Sequence, residues 1–88
     1  MTVQVSISTT PNENALKFTV NTKVIESGHK TFNNSEEAKE HPLAAKLFET
    51  DGLVSVFLMP EFITVTKKTE VDWSHLQEKI VKGIQAVL

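Results

Sequence analysis

The chain has 88 residues, 40% of them hydrophobic and 23% charged, with a formal net charge of −2; that suffices for one modest core and excludes a second core or a deep internal pocket. All nine basic residues are lysines, so the planar fork that grips phosphate or guanine is missing, and a mildly acidic chain (sequence pI about 5.9) is set aside as a nucleic-acid binder. Cysteine is absent, which excludes a disulfide, a zinc–thiolate site, a thiol nucleophile and any cysteine-ligated cluster within this chain.

Met1 to Thr10 alternates apolar and polar residues, with no basic start leading into an apolar run, and does not read as a signal peptide. No stretch approaches the ~18 apolar residues of a membrane span, and the chain reads as cytoplasmic. Val3, Val5 and Ile7 alternate with polar residues, which predicts a half-buried strand. The turn formers Thr10-Pro11-Asn12-Glu13-Asn14 follow, and then Leu16, Phe18 and Val20 alternate in turn, so the first two strands form an antiparallel hairpin. Glu26 to Asn34 is polar, contains Gly28 and reads as a connecting loop.

Asn34 or Ser35 caps a short helical turn through Glu40, with Glu37 at the reciprocal capping position relative to Asn34. Pro42 ends that turn and suits the first position of a new helix, whose apolar stripe is Leu43, Ala44, Leu47 and Phe48. Asp51-Gly52 ends this helix, with Gly52 as a left-handed cap. Leu53 to Met59 is nearly all apolar, as in a central strand, with Val54, Val56 and Leu58 facing the helices and Leu53, Phe57 and Met59 facing away. Pro60-Glu61 makes a tight turn into a fourth strand, Phe62 to Thr66, which Lys67 and Lys68 lead out of. Asp72 and Ser74 are candidate N-caps, Ser74 with Gln77 at capping-box spacing, for a helix with Trp73, Leu76, Ile80, Ile84 and Val87 on one side. Gly83 within it reads as a point of close packing, the alternative being a frayed end.

The order is strand, strand, helix, strand, strand, helix, with no repeat and no linker, so residues 1–88 are read as one domain. The expected fold is α+β: two β-hairpins forming a four-stranded, mainly antiparallel sheet with two helices on one face, in ββαββα order.

No catalytic constellation can be assembled. Glu36, Glu37 and Glu40 suit the solvated side of a helical turn, and three glycines make no phosphate loop. His29, His41 and His75 are the only imidazoles; none stands at ligand spacing, and a metal site requires their convergence in space with one another or with Glu36, Glu37, Glu40 or Asp72. No catalytic residue, metal ligand or cofactor is therefore assigned. Two regions are candidate protein contacts. The turn at Pro11, Asn12 and Asn14 presents polar groups, although asparagine also satisfies turns by itself. Phe57, Met59 and Phe62, beside Lys17, Thr19, Thr64 and Thr66, would give the open sheet face an apolar patch with a polar rim; a register shifted by one residue reverses that reading.

Three stretches carry a family resemblance: Thr10-Pro11-Asn12-Glu13-Asn14-Ala15-Leu16-Lys17-Phe18; His41-Pro42-Leu43-Ala44 with Leu47-Phe48, Gly52-Leu53 and Val56-Phe57; and Phe62-Ile63-Thr64-Val65-Thr66-Lys67 followed by Trp73. In this order and spacing they resemble the N-terminal domain of Nfu/NifU-type iron–sulfur scaffold proteins over nearly the whole chain. Glu13, where the family often has proline, and Met59-Pro60, where it often has a glycine-containing turn, depart from the pattern. The resemblance implies a cluster-free domain that usually precedes a second domain whose Cys-x-x-Cys pair holds the cluster. It further implies a non-enzymatic protein-binding module in iron–sulfur cluster assembly or delivery, whose partner is an iron–sulfur carrier, an assembly factor or a recipient protein. The alternative is a small iron- or metal-binding protein using histidine and carboxylate ligands. Neither nucleic acid nor membrane is expected as a partner, and the oligomeric state is open.

Overall fold

Alternation in two sequence-distant hairpins puts Phe18 opposite Ile63 and Leu16 opposite Val65, and the rest of the architecture is arranged around that join. The computed structural model describes residues 3–88, with His75 described by its helical backbone alone. The elements are β1 (Val5–Thr9), β2 (Ala15–Val20), β3 (Lys30–Phe32), α1 (Ser35–Ala38), α2 (Pro42–Leu47), β4 (Leu53–Leu58), β5 (Phe62–Lys67) and α3 (Trp73–Val87). The strands form one sheet in the order β1-β2-β5-β4-β3, with every neighbouring pair antiparallel. Phe18, Val56, Leu58, Ile63 and Val65 point to one face. There they meet Leu43 and Leu47 of α2 and Ile80 and Ile84 of α3, all essentially removed from water. Each such side chain contributes roughly 1.5–3 kcal/mol by leaving solvent.

The expected α+β class with helices on one face stands, but the four-stranded, two-helix count does not: among the described residues the sheet has five strands and there are three helices. The missed strand, β3, is three residues long with only Phe32 buried, too short to show alternation. It pairs with β4 at the edge, Thr31 opposite Phe57. The helical turn expected before Pro42 is a helix in its own right, α1, capped by Asn34 Oδ1 accepting the Glu37 N–H at 2.8 Å. Glu37 returns a carboxylate to the Asn33 N–H at 2.9 Å, one residue before the cap.

Facing along β4 also differs from expectation at its start. Leu53 pairs with Lys67 but Ser55 pairs with Thr66, so Val54 is an extra residue in a bulge. The bulge inverts the two: Leu53 is buried and Val54 is 45% exposed, whereas Val56 and Leu58 face the helices and Phe57 and Met59 do not. At α3 the cap is Asp72, whose Oδ1 accepts the Ser74 N–H at 3.0 Å; Ser74 lies inside the helix. Lys67 lies within β5 and is buried.

Two glycines sit at close approaches. Gly52, at φ +100°, ends the α2 turn, and a Cβ there would meet both Val71 methyls at 3.1 Å. Gly83 lies at the α2–α3 contact, where a Cβ would meet Leu47 Cδ2 at 3.3 Å; α3 continues past it to Val87. Gly83→Ala exchanges about 1 kcal/mol of helix propensity against that crowding and is expected to shift stability by less than this amount. Gly83→Leu forces the helices apart and is expected to lower the unfolding free energy by roughly 1–3 kcal/mol, read as a lower urea midpoint. An unchanged midpoint would mean that α2 and α3 do not pack at this point.

Candidate functional site

The side of the sheet away from the helices is built from the alternate residues of every strand. One row runs Ser8, Lys17, Thr64, Phe57, Thr31 across β1, β2, β5, β4 and β3. The next runs Ser6, Thr19, Phe62 and on to Met59, whose N–H donates to Phe62 O at 2.9 Å. Phe57, Met59 and Phe62 are each half-buried. Lys17 Nζ lies 4.4 Å from the Phe62 ring centroid, a cation–π contact worth about 0.5–1 kcal/mol at such a site. The His29 ring lies 5.6 Å from that of Phe57. No strand carries an aspartate or glutamate; of the three strand lysines, Lys17 is on this face, and Lys30 and Lys67 have the opposite parity. On a chain of net charge −2, the face is thus apolar, rich in hydroxyls and mildly positive.

The Pro11–Asn14 turn is held by its own side chains. Thr10 Oγ1 accepts the Asn12 N–H at 3.1 Å and donates to Ala15 O at 3.0 Å, while Asn12 Oδ1 accepts the Asn14 N–H at 2.9 Å. Asn14 reaches further: its Oδ1 accepts from Lys67 Nζ at 3.1 Å and its amide donates to Thr69 Oγ1 at 3.4 Å. Beside it, Trp73 Nε1 donates to Glu13 O at 3.1 Å. Pro11 and Asn12 remain exposed and Asn14 is half-buried. Asn14 thereby connects the first turn to β5 and the Glu13 carbonyl connects it to the start of α3, while Asn12 braces the turn itself; both asparagines spend polar atoms on the fold.

Lys67 is the residue that reading the chain as a sequence missed. It is the one buried charged side chain among the described residues, 8% exposed. Its ammonium donates to Asn14 Oδ1 and to Lys68 O at 3.2 Å and lies 5.8 Å from the Trp73 ring centroid. The signal was its parity, since Ile63, Val65 and Lys67 share the inward face of β5. The cleft over it, about 360 Å³, has the carboxylates Glu13, Glu70 and Asp72 in its walls. Such walls disfavour an anion, so the cleft reads as a lock between segments. Asn14→Ala withdraws an acceptor from a buried ammonium and is expected to cost about 1–3 kcal/mol. The cost should shrink markedly in a Lys67→Met background, as a double-mutant cycle in urea would read; an undiminished cost would dissociate Asn14 from Lys67.

The model of the family described as scaffold protein Nfu/NifU N terminal matches residues 5–88. The chain belongs to this family. NifU-like protein 5, mitochondrial, of Arabidopsis thaliana is 39% identical over 79 residues, covering 90% of this chain and 29% of that protein. The NFU1 iron-sulfur cluster scaffold homolog, mitochondrial, of Homo sapiens is 43% identical over 76 residues, covering 85% of this chain and 30% of that protein. The chain thus spans less than a third of the length of these relatives. Among solved structures, a NifU-like protein from Saccharomyces cerevisiae aligns with a TM-score of 0.84 at 26% identity, over 97% of this chain and 77% of that one. A Staphylococcus aureus protein aligns with a TM-score of 0.81 at 24% identity, over 96% of this chain and 99% of that one, a likeness of fold alone.

This Nfu N-terminal domain offers no thiolate for the cluster named in its relatives, since it has no cysteine. Among the described residues, no three histidine, aspartate and glutamate side chains gather where a metal could sit; the side chain of His75 lies outside the description. His29 makes a tilted ring contact with Phe57 from an exposed loop. His41 caps α2, its Nδ1 accepting the Leu43 N–H at 3.2 Å ahead of Pro42. Desolvation first, and the nearby Lys30 ammonium second, hold the His41 pKa below its ordinary value of 6.5. The unfolded chain therefore takes up this proton at a higher pH than the folded domain does. The contribution of His41 to stability is complete above pH 6.5 and is lost as pH falls through the lower folded value. His41→Asn keeps a capping oxygen without the titration, so denaturation curves at pH 8 and pH 5 should show the native domain losing more stability than the variant on acidification. Equal losses would remove His41 from the acid response.

Proposed function

We propose that residues 1–88 act as a non-enzymatic protein-binding module in iron–sulfur cluster assembly or delivery, docking a cluster carrier, an assembly factor or a recipient protein while holding no cluster. The observation that carries this reading is the uncovered sheet face, where Phe57, Met59 and Phe62 are half-exposed among threonines with no carboxylate in any strand. Aromatic and thioether side chains with a polar rim are the composition of protein contact patches. Family membership supplies the context, because the human relative is named as an iron-sulfur cluster scaffold.

In this reading Phe57 and Phe62 are the anchors, Met59 adapts to the partner surface, and Lys17, already desolvated on one side by Phe62, offers an ammonium to a partner carboxylate. Pro11 is the part of the first turn offered to a partner, since Asn12 and Asn14 are engaged within the fold. The relatives cited above are named as mitochondrial, and the cytoplasmic reading of the first ten residues gains no support from them.

Titrating the isotopically labelled domain with a cluster-loaded carrier and following amide shifts tests this directly. Shifts are expected along the row from Lys17 through Thr64 to Thr31, and in Phe62. Phe57→Ala with Phe62→Ala should weaken binding by roughly tenfold or more while leaving the helix-face signals unmoved. Shifts confined to the α2–α3 side would place the contact elsewhere, and no shift with carrier, assembly factor or recipient would end the proposal.

A further inference from the structure

The two edges of the sheet are protected very differently. β3 is three residues long and carries Lys30, the short, charged edge by which proteins discourage strand addition. β1 is five residues long, Val-Ser-Ile-Ser-Thr, and contains no charge and no proline. Its five residues pair with β2 without a bulge, so its outer edge is straight and, among the described residues, paired with no other strand. Ile7 at its centre points to the helix side, yet α3 does not cover it, and it stays 41% exposed. Beside it runs a groove of about 400 Å³ between β1 and α3, lined by Ile7, Gln77, Val81, Lys82 and Gln85.

We infer that this edge pairs with β1 of a second copy of the same chain across a two-fold axis at Ile7. The strand is complementary to itself. Antiparallel pairing about Ile7 sets Ile7 of one copy against Ile7 of the other, Ser6 against Ser8, and Val5 against Thr9. The pairs are thus β-branched on the helix side and hydroxyl to hydroxyl on the open side, both favourable across strands. No like charges are brought together in the strand, and no charge there selects a foreign sequence.

The helices support the same symmetry. Trp73 lies by the first turn, and Gln85 Nε2 donates to Val3 O at 3.1 Å, so α3 runs antiparallel to β1 along the groove. The two-fold sets the α3 helices antiparallel on either side of the seam. Glu78 and Lys82, paired within one copy at 3.0 Å, are then each brought toward the opposite sign on the other. The contact is isologous and closes at two chains, making one continuous sheet of twice the five strands of a single copy. The proposed docking face lies on the other side of that sheet, and the two inferences stand independently.

Sedimentation equilibrium of the native chain from about 10 μM to about 1 mM, the range a small interface requires, should give a mass rising from 9.8 kDa toward twice that value. Ile7→Lys faces two ammonium groups across the axis and should weaken association by roughly tenfold or more. As a second reading, Ile7→Cys in this cysteine-free chain should cross-link to a covalent dimer under copper–phenanthroline oxidation, because directly opposed strand residues lie within disulfide reach. Val54→Cys, equally exposed but on the β4 bulge, should not. If Ile7→Lys fails to fold, the cysteine pair decides. A native chain that stays at 9.8 kDa overturns the inference and leaves the edge to a strand from another protein. A dimer indifferent to Ile7→Lys, or equal cross-linking at both positions, overturns it as well.

Discussion

The antiparallel pairing of β2 with β5 is the constraint on which the molecule depends. It joins the first hairpin to the second over a long sequence separation, and each hairpin alone would be marginal in water. Its register sets Phe18 against Ile63 and Leu16 against Val65 on the inner face, the floor on which α3 lays Leu76, Ile80 and Ile84. The same register sets Lys17 against Thr64 and Thr19 against Phe62 on the outer face. Lys17 therefore reaches Phe62 diagonally, as long side chains and aromatic rings do across strands. One set of backbone hydrogen bonds thus fixes both the core and the candidate contact surface. A slip of one residue would exchange them.

All the helices lie on one side because each connection that carries a helix leaves and rejoins the sheet on that side. α1 and α2 fill the path from β3 to β4, and α3 returns from the end of β5 toward the start of β1. The core accordingly has a single layer of helix over a single sheet, an arrangement suited to a chain of this length. The cost is that the other sheet face must live with water. Threonine and serine fill most of it, and the aromatic residues there are the departure from a purely solvated surface. In the proposed docking role, a thiol-free domain would have its recognition chemistry concentrated in that departure.

Rigidity at one end of this platform comes from polar contacts that reach between elements. Asn14 accepts from the Lys67 ammonium, Trp73 donates to Glu13 O, and Lys68 N–H donates to Gly52 O at 2.8 Å. Together they tie the first turn, the end of β5, the end of α2 and the entry to α3 into one corner. The tilted Phe18–Trp73 ring contact, 6.5 Å between centroids, anchors that corner to the core. Burying a lysine is costly unless its donors find oxygen, and here the turn asparagine and a carbonyl supply it.

Much was legible from residue order alone. Alternation marked β1 and β2, and the tight turn at Pro60-Glu61 marked β5; Asn34 with Glu37 and Pro42 marked the two short helices; the spacing of Leu76, Ile80 and Ile84 marked α3. These signals are local, arising from backbone periodicity and capping chemistry within a few residues, and the family resemblance added their order. The absence of cysteine and arginine was equally plain. Other features came only from the tertiary structure. β3 exists because β4 offers an unpaired edge to Lys30–Phe32, which has no pattern of its own. Val54 is exposed and Leu53 buried because the strands fall out of step by one residue at a bulge, and hydrophobicity is the same on both sides of that step. Lys67 is buried because a distant asparagine accepts a hydrogen bond from its ammonium, and Ile7 is exposed because α3 lies to one side of β1. Periodicity determines which residues share a face; only packing decides what covers that face, and the candidate site is the face that packing left uncovered.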